Sequence, residues 1–210
     1  MIESTAEIRN VLGPFTGIDQ VNGVTCDGDN VWVASGDALN AVDAATGQPK
    51  RSIDVAAHAG TAFDGVHLYQ LDDDRVRKVD PITGRVVSTI TVPAGGSGLA
   101  WAEGTLWMGQ YEDRLIRRID PESGATISTV TSDRFVTGVT WVEGELWHAG
   151  SLDDSCALNH VDPATGDVLE TIVMPDGVWV SGIESAGGNQ FFCGHGDAGT
   201  VSVVGRVGGP

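Results

Sequence analysis

A five-residue turn of the form Asp-x-x-(Thr or Ser)-Gly occurs four times, as Asp43-Ala-Ala-Thr-Gly47, Asp80-Pro-Ile-Thr-Gly84, Asp120-Pro-Glu-Ser-Gly124 and Asp162-Pro-Ala-Thr-Gly166. The aspartate side chain can accept from backbone amides ahead of it, proline ends a strand, and glycine supplies the positive φ that closes the turn. The copies lie about 40 residues apart, a spacing that means one supersecondary unit stacked on itself. Residues 98–130 show the unit. Runs of β-type residues at 99–101, 106–108 and 115–119 precede a fourth at 125–130, with Gly or acidic turn residues in each gap. An aromatic in the second run recurs as Trp32, Tyr69, Trp107, Trp147 and Phe192. Four short strands per repeat predict an all-β fold, a β-propeller of four-stranded antiparallel blades.

The two ends of the chain complete the count. Residues 182–185, 191–193 and 201–204 supply three strands and no fourth, whereas residues 6–14 resemble the fourth-strand segments 85–93 and 167–175. Pairing residues 6–12 with 201–204 makes a composite last blade and removes the exposed edges that a line of sheets would leave. The expectation is a five-bladed propeller in a single domain, residues 1–210.

Every first strand begins with a small or polar residue followed by glycine: Asn22-Gly, Ala59-Gly, Ser97-Gly, Thr137-Gly and Ser181-Gly. Innermost strands crowd the axis and leave little room for Cβ, so the glycines are expected to be structural. The residues before them should ring the mouth of the central channel. The Asp turns repeat, but the loops from second to third strand and from fourth to next first do not. Variation on a rigid scaffold marks the binding face. Gln110, Tyr111, Arg134 and Trp179 fall in those irregular loops, and with Asn22, Ser97, Thr137 and Ser181 they are expected to hold a small-molecule ligand in an axial pocket.

Ionisable groups add candidate chemistry. Glu184 stands where the other first strands have Thr25, Ala62, Ala100 and Thr140. A carboxylate projecting there is a candidate general base or acid, with His195 or a bound cation as its partner. His58 and His195 lie near the expected mouth and are candidate proton carriers. His148 and Cys193 occupy equivalent second-strand positions on neighbouring blades, so His148, Cys193 and His195 form a candidate set for one divalent metal ion. The acidic loops Asp72-Asp73-Asp74, Glu112-Asp113 and Asp153-Asp154, with Asp197, lack the spacing of a Ca²⁺ loop and read as a solvated rim. A phosphate loop, a dinucleotide fingerprint and a Gly-x-Ser-x-Gly elbow are all absent from the sequence.

The net charge of −17 opposes phosphate backbones and anionic lipid surfaces, so neither nucleic acid nor membrane is expected as a partner. Three cysteines make no disulfide framework, and the first residues lack a basic start followed by an apolar run. A cytoplasmic location is the expectation.

The run of Gly-hydrophobic, acidic-Gly turn, Leu-Trp and Asp-Pro-x-Thr-Gly resembles the propeller group that includes glutamine cyclotransferases, virginiamycin B lyases and SMP-30-like lactonases, over essentially the whole chain. The five-blade count is most similar to the glutamine cyclotransferase-like branch. That resemblance implies an enzyme. In the cyclotransferases a Gln, a Glu and a Trp precede successive first-strand glycines and line the active site; the matching positions here hold Asn22, Ala59 and Ser97. For the lyases and lactonases it implies a divalent metal at the axial mouth. Two readings follow: a small-molecule propeller of lyase, cyclotransferase or lactonase type, and a non-catalytic protein-interaction propeller. A concave polar pocket on the irregular face favours the first, and a flat apolar patch the second.

Overall fold

A computed structural model describes residues 2–206. Strands account for its regular structure, and no helix forms among the described residues. Five antiparallel sheets follow one another along the chain, each ordered from the axis outward. Blade one is Gly23–Cys26, Asn30–Ser35, Ala38–Asp43 and Pro49–Asp54. Blade two is Thr61–Phe63, Leu68–Asp72, Arg75–Val79 and Val86–Thr91. Blade three is Gly96–Ala102, Thr105–Gln110, Leu115–Ile119 and Thr126–Thr131. Blade four is Phe135–Val142, Glu145–Leu152, Ser155–Val161 and Val168–Val173. Blade five is Gly182–Ser185, Gln190–His195 and Thr200–Gly205, completed on its outer edge by Glu7–Leu12. The closure expected from the sequence therefore forms, with Leu12 opposite Val201 and Glu7 opposite Gly205.

One strand goes beyond that expectation. Ile2–Thr5 pairs parallel with the outer strand of blade four, from Ile2 opposite Glu170 to Thr5 opposite Val173, and the Ala6 amide donates to Val173 O at 2.8 Å. Backbone pairing on an open edge holds this segment; Ile2 itself is exposed. The first dozen residues thus lap two adjacent blades.

The repeated turns form for the reason their residues suggest. Asp43 Oδ1 accepts from the amides of Ala45 (3.1 Å) and Thr46 (2.8 Å), and the Gly47 amide donates to Asp43 O at 2.8 Å. Asp80, Asp120 and Asp162 repeat the arrangement. At Gly124 the φ is +75°, and a Cβ would fall 2.0 Å from Thr91 O, so glycine is required twice over.

The core lies between blades. Second strands are buried on both faces, which is why they read as continuous apolar runs such as Leu106-Trp-Met and Phe191-Phe-Cys. Their rings bridge neighbours: Tyr69 stacks on Trp101 at 5.1 Å, Trp107 on Trp141 at 5.3 Å, and Trp147 tilts against Phe191 at 4.9 Å. Several polar tips are met by acids at the first hairpin turn, Trp32 Nε1 donating to Asp27 at 2.7 Å and Trp147 Nε1 to Glu145 at 2.9 Å. Each fully buried leucine in these strands, such as Leu68 or Leu146, contributes about 2 kcal/mol of transfer free energy.

Candidate functional site

The five first-strand glycines make a closed ring about the axis. A Cβ on Gly23 would fall 2.8 Å from Gly60 Cα, on Gly98 2.7 Å from Gly138 Cα, on Gly138 2.9 Å from Gly182 Cα, and on Gly182 2.9 Å from Gly23 Cα. On Gly60 it would lie 2.3 Å from the Leu99 amide nitrogen. Backbone meets backbone around the whole ring, so no side chain can enter at this level.

Just before this ring stand the expected mouth residues, and three of them tie blades together. Asn22 Nδ2 donates to Ala57 O at 3.2 Å, Ser97 Oγ to Val136 O at 2.6 Å, and Ser181 Oγ to Val21 O. The Gly196 amide in turn donates to Ser181 Oγ at 3.0 Å. Thr137 differs. Its Oγ1 is buried and has no partner among the described residues.

Beside the axis, on this same face, opens a cavity of about 710 Å³. It brings together Tyr111, Thr137, Trp179, Ser181 and His195, five residues singled out from the sequence, contributed by blade three, blade four, blade five and the segment that carries the chain into blade five. Tyr111 and Trp179 are exposed, and the Tyr111 ring is held by stacking on Phe135 at 5.0 Å. Val178 and Val180 add apolar wall, and Asp197 adds a carboxylate whose Oδ1 accepts from Gln20 Nε2 at 2.9 Å. His195 is fixed at both nitrogens: Nδ1 lies 2.7 Å from Trp179 O and Nε2 2.7 Å from Ser202 Oγ. A carbonyl can only accept, so Nδ1 carries a proton and donates to Trp179 O, while Nε2 is paired with the Ser202 hydroxyl. Ser202 is fully buried, so this pair orients the imidazole and does not present a nucleophile.

The remaining candidates are engaged elsewhere. Gln110 is buried, donating from Nε2 to Ala94 O at 2.6 Å and accepting from Arg117 Nε. Arg134 reaches outward to Ser155 Oγ at 3.1 Å. His58 is exposed, 3.6 Å from an Asp72 oxygen on the rim of blade two.

Glu184 lies beyond the glycine ring, away from the cavity. Its side chain points into the channel and receives Thr25 Oγ1 from blade one and Thr140 Oγ1 from blade four, each at 2.7 Å, with its Oε1 also accepting the Ser185 amide at 2.6 Å. The expected partner, His195, is not there. Glu184 pairs with Phe192 and His195 with Thr200, so they stand three residues apart along the blade, about 10 Å at the rise of a strand. Burial pushes the Glu184 carboxyl above its usual range, outweighing the three donors that favour its charge. Ala62 and Ala100, at the equivalent places on the other two blades, leave the room it occupies.

The metal set does not assemble. His148 is fully buried within blade four, with Nδ1 3.3 Å from Ala149 O and Nε2 3.4 Å from Ser132 Oγ, and burial lowers its pKa to about 4. Cys193 lies in an apolar cluster with Cys156, Ile183 and Phe191, where burial pushes its thiol up. No three His, Cys, Asp or Glu side chains converge among the described residues. At the axial mouth the five positions offer only amide, methyl and hydroxyl groups, a donor set that does not fit a divalent ion.

Comparison with known proteins bears on the fold. Superposed on glutaminyl cyclase from Myxococcus xanthus, the chain gives a TM-score of 0.81 with 97% of each chain covered, at 17% sequence identity. Its fold matches that of a glutaminyl cyclase. Two weaker likenesses have a TM-score of 0.56. Hydrazine synthase of Kuenenia stuttgartiensis is 20% identical, with 86% of this chain and 57% of that one covered; a chain of a mitotic checkpoint complex is 16% identical, with 89% and 61% covered. No family model and no curated protein matches the sequence.

Ser202, which holds His195, and Asp197, which lines the cavity, were not singled out for the site from the sequence. Ser202 faces His195 because Thr200 and Ser202 share one face of the third strand, a relation readable from strand register once Thr200–Gly205 is paired with Gln190–His195. Asp197 was read as part of the solvated rim.

Proposed function

We propose that the protein binds a small organic molecule at the mouth of the propeller, in the cavity between blades three, four and five. The observation that carries this reading is the convergence there of Tyr111, Thr137, Trp179, Ser181 and His195 around 710 Å³, a volume suited to a drug-sized ligand. Exposed rings supply stacking surface for such a ligand. The concave shape supports a small molecule over a protein partner.

The glutaminyl-cyclase-like fold makes an enzyme a natural expectation, but the axial positions argue for binding rather than cyclotransfer. Asn22 and Ser97 spend their donors on neighbouring blades, and Ala59 has no polar group. His195 lines the cavity, but Trp179 O and Ser202 engage both of its ring nitrogens, so it serves as a fixed wall and not as a proton carrier. The proposal is tested by a thermal-shift screen of small organic molecules against the wild type and Trp179→Ala. A ligand at a hundred times its Kd stabilises by about 2.7 kcal/mol, a rise of about 5–10 °C for a domain of this size. Hits are expected to lose that rise in the variant. Hits that stabilise both proteins equally would place binding elsewhere.

A further inference from the structure

The proposed cavity has an uneven electrostatic make-up. Asp197 is the one Asp, Glu, Lys or Arg among the described lining residues, and it is exposed, with Oδ2 not used in its bond to Gln20. The nearest cations are turned to other tasks. Arg114 lies 4.0 Å from the centre of the Phe135 ring and donates to Asp133 O at 3.1 Å, while Arg134 donates to Ser155. His195 is held between a carbonyl and a hydroxyl. Two exposed aromatic side chains line the same cavity, Trp179 and Tyr111, at 46% and 38% exposure. Tyr111 rests one face on Phe135, which leaves the other available.

Aromatic faces carry negative quadrupole charge and attract a cation that has shed its water, alkylated ammonium groups most readily because they are weakly hydrated. A carboxylate adds Coulomb attraction of the same sign. An anionic ligand would meet Asp197 with no compensating base, inside a protein of net charge −17. Val178 and Val180 provide wall for an apolar body.

We propose that the cavity selects an organic ammonium compound: one positively charged amine head on an apolar body. This rests on the reading of the cavity as a small-molecule site and names the class of molecule. Trp179 and Tyr111 receive the head group with Asp197 as counter-charge, and the valines face the apolar body.

The test compares two probes of nearly the same shape, acetylcholine and its uncharged carbon isostere 3,3-dimethylbutyl acetate, titrated at pH 8 while the Trp179 indole N–H is followed by NMR. The cation is expected to bind about tenfold more tightly than the isostere. Asp197→Asn, which keeps the bond to Gln20 and lies on the surface, is expected to remove most of that preference, and Trp179→Ala to weaken the cation more than the isostere as read from the Thr137 amide. Raising salt should narrow the gap in the wild type. Equal binding of the two probes would overturn the ammonium proposal and leave the cavity as a site for neutral molecules. Failure of both probes to move any cavity resonance would overturn the proposal together with the small-molecule reading beneath it.

Discussion

His148 is a neutral imidazole sealed inside blade four, and its burial predicts a specific weakness to acid. The ordinary histidine pKa of 6.5 falls to about 4 in the folded protein, because burial removes the hydration of the charged ring. The bond to Ala149 O and the nearby Asp133 favour the charge, but together they do not offset the lost water, to which Arg134 adds repulsion. A depressed folded pKa stabilises the fold above pH 6.5, and that contribution drains away as the pH falls toward 4, because the unfolded chain takes up the proton first. The full interval corresponds to about 3 kcal/mol, and by pH 4.5 about 2.5 kcal/mol should be gone. For a domain of this length that is a fall of about 5–10 °C in Tm. The assay is urea unfolding at pH 7.5 and pH 4.5 for the wild type and His148→Gln, which keeps a polar side chain and cannot titrate. The difference between the two proteins should move by about 2.5 kcal/mol in favour of the variant on acidification. A difference that stays constant across the interval would refute the buried, neutral assignment and reopen the question of what His148 touches.

Two other ionisable groups give predictions of different sign. Glu184 has a raised folded pKa, so its contribution is greatest below its ordinary range and is lost as the pH rises through the folded value. Glu184→Gln should therefore gain on the wild type between pH 5 and pH 8 in denaturant midpoints, while Glu184→Ala, which strips the acceptor from Thr25 and Thr140, should lose about 2 kcal/mol at pH 5; a Gln variant that tracks the wild type at every pH would contradict the burial. Arg206 binds Glu170 through Nε and Nη2 and Glu145 through Nη1, over the Trp147 ring, and clasps the end of blade five to blade four. Arg206→Met should cost about 3 kcal/mol by leaving the buried Glu170 carboxylate unpaired, and adding Glu170→Gln should recover most of it; an unaffected single variant would show that the clasp is idle.

Features that the sequence repeats were legible in it, and features that depend on which neighbour a side chain meets were not. The Asp-x-x-Thr-Gly turns, the second-strand aromatics and the first-strand glycines recur because each solves a backbone problem that every blade shares, so their spacing revealed the propeller and its closure. Ile2–Thr5 left no such trace, since an edge strand held by backbone pairing needs no apolar alternation. Five of the cavity residues were legible because they sit where the repeat breaks. His148 and Cys193 were misread because a second strand is buried on both faces, and a polar residue there can be sealed between blades as easily as aimed at the axis. For Glu184 the partners were in plain view: Thr25 and Thr140 hold the same motif position on the flanking blades. The glycines were legible too, but not that their ring closes the channel and so places the mouth and Glu184 on opposite sides of a constriction.

If a ligand binds in the mouth cavity, backbone NMR will locate it there. With a hit from the thermal-shift screen titrated into labelled protein, the amides of Thr137, Ser181, Gly196 and Ala198 and the indole N–H of Trp179 should shift together and saturate at one Kd. Ser185 and Gly187, beyond the glycine ring, should hold still. Shifts centred on Ser185 and Gly187, or spread along the outer strands of the blades with the cavity unmoved, would contradict binding at the mouth.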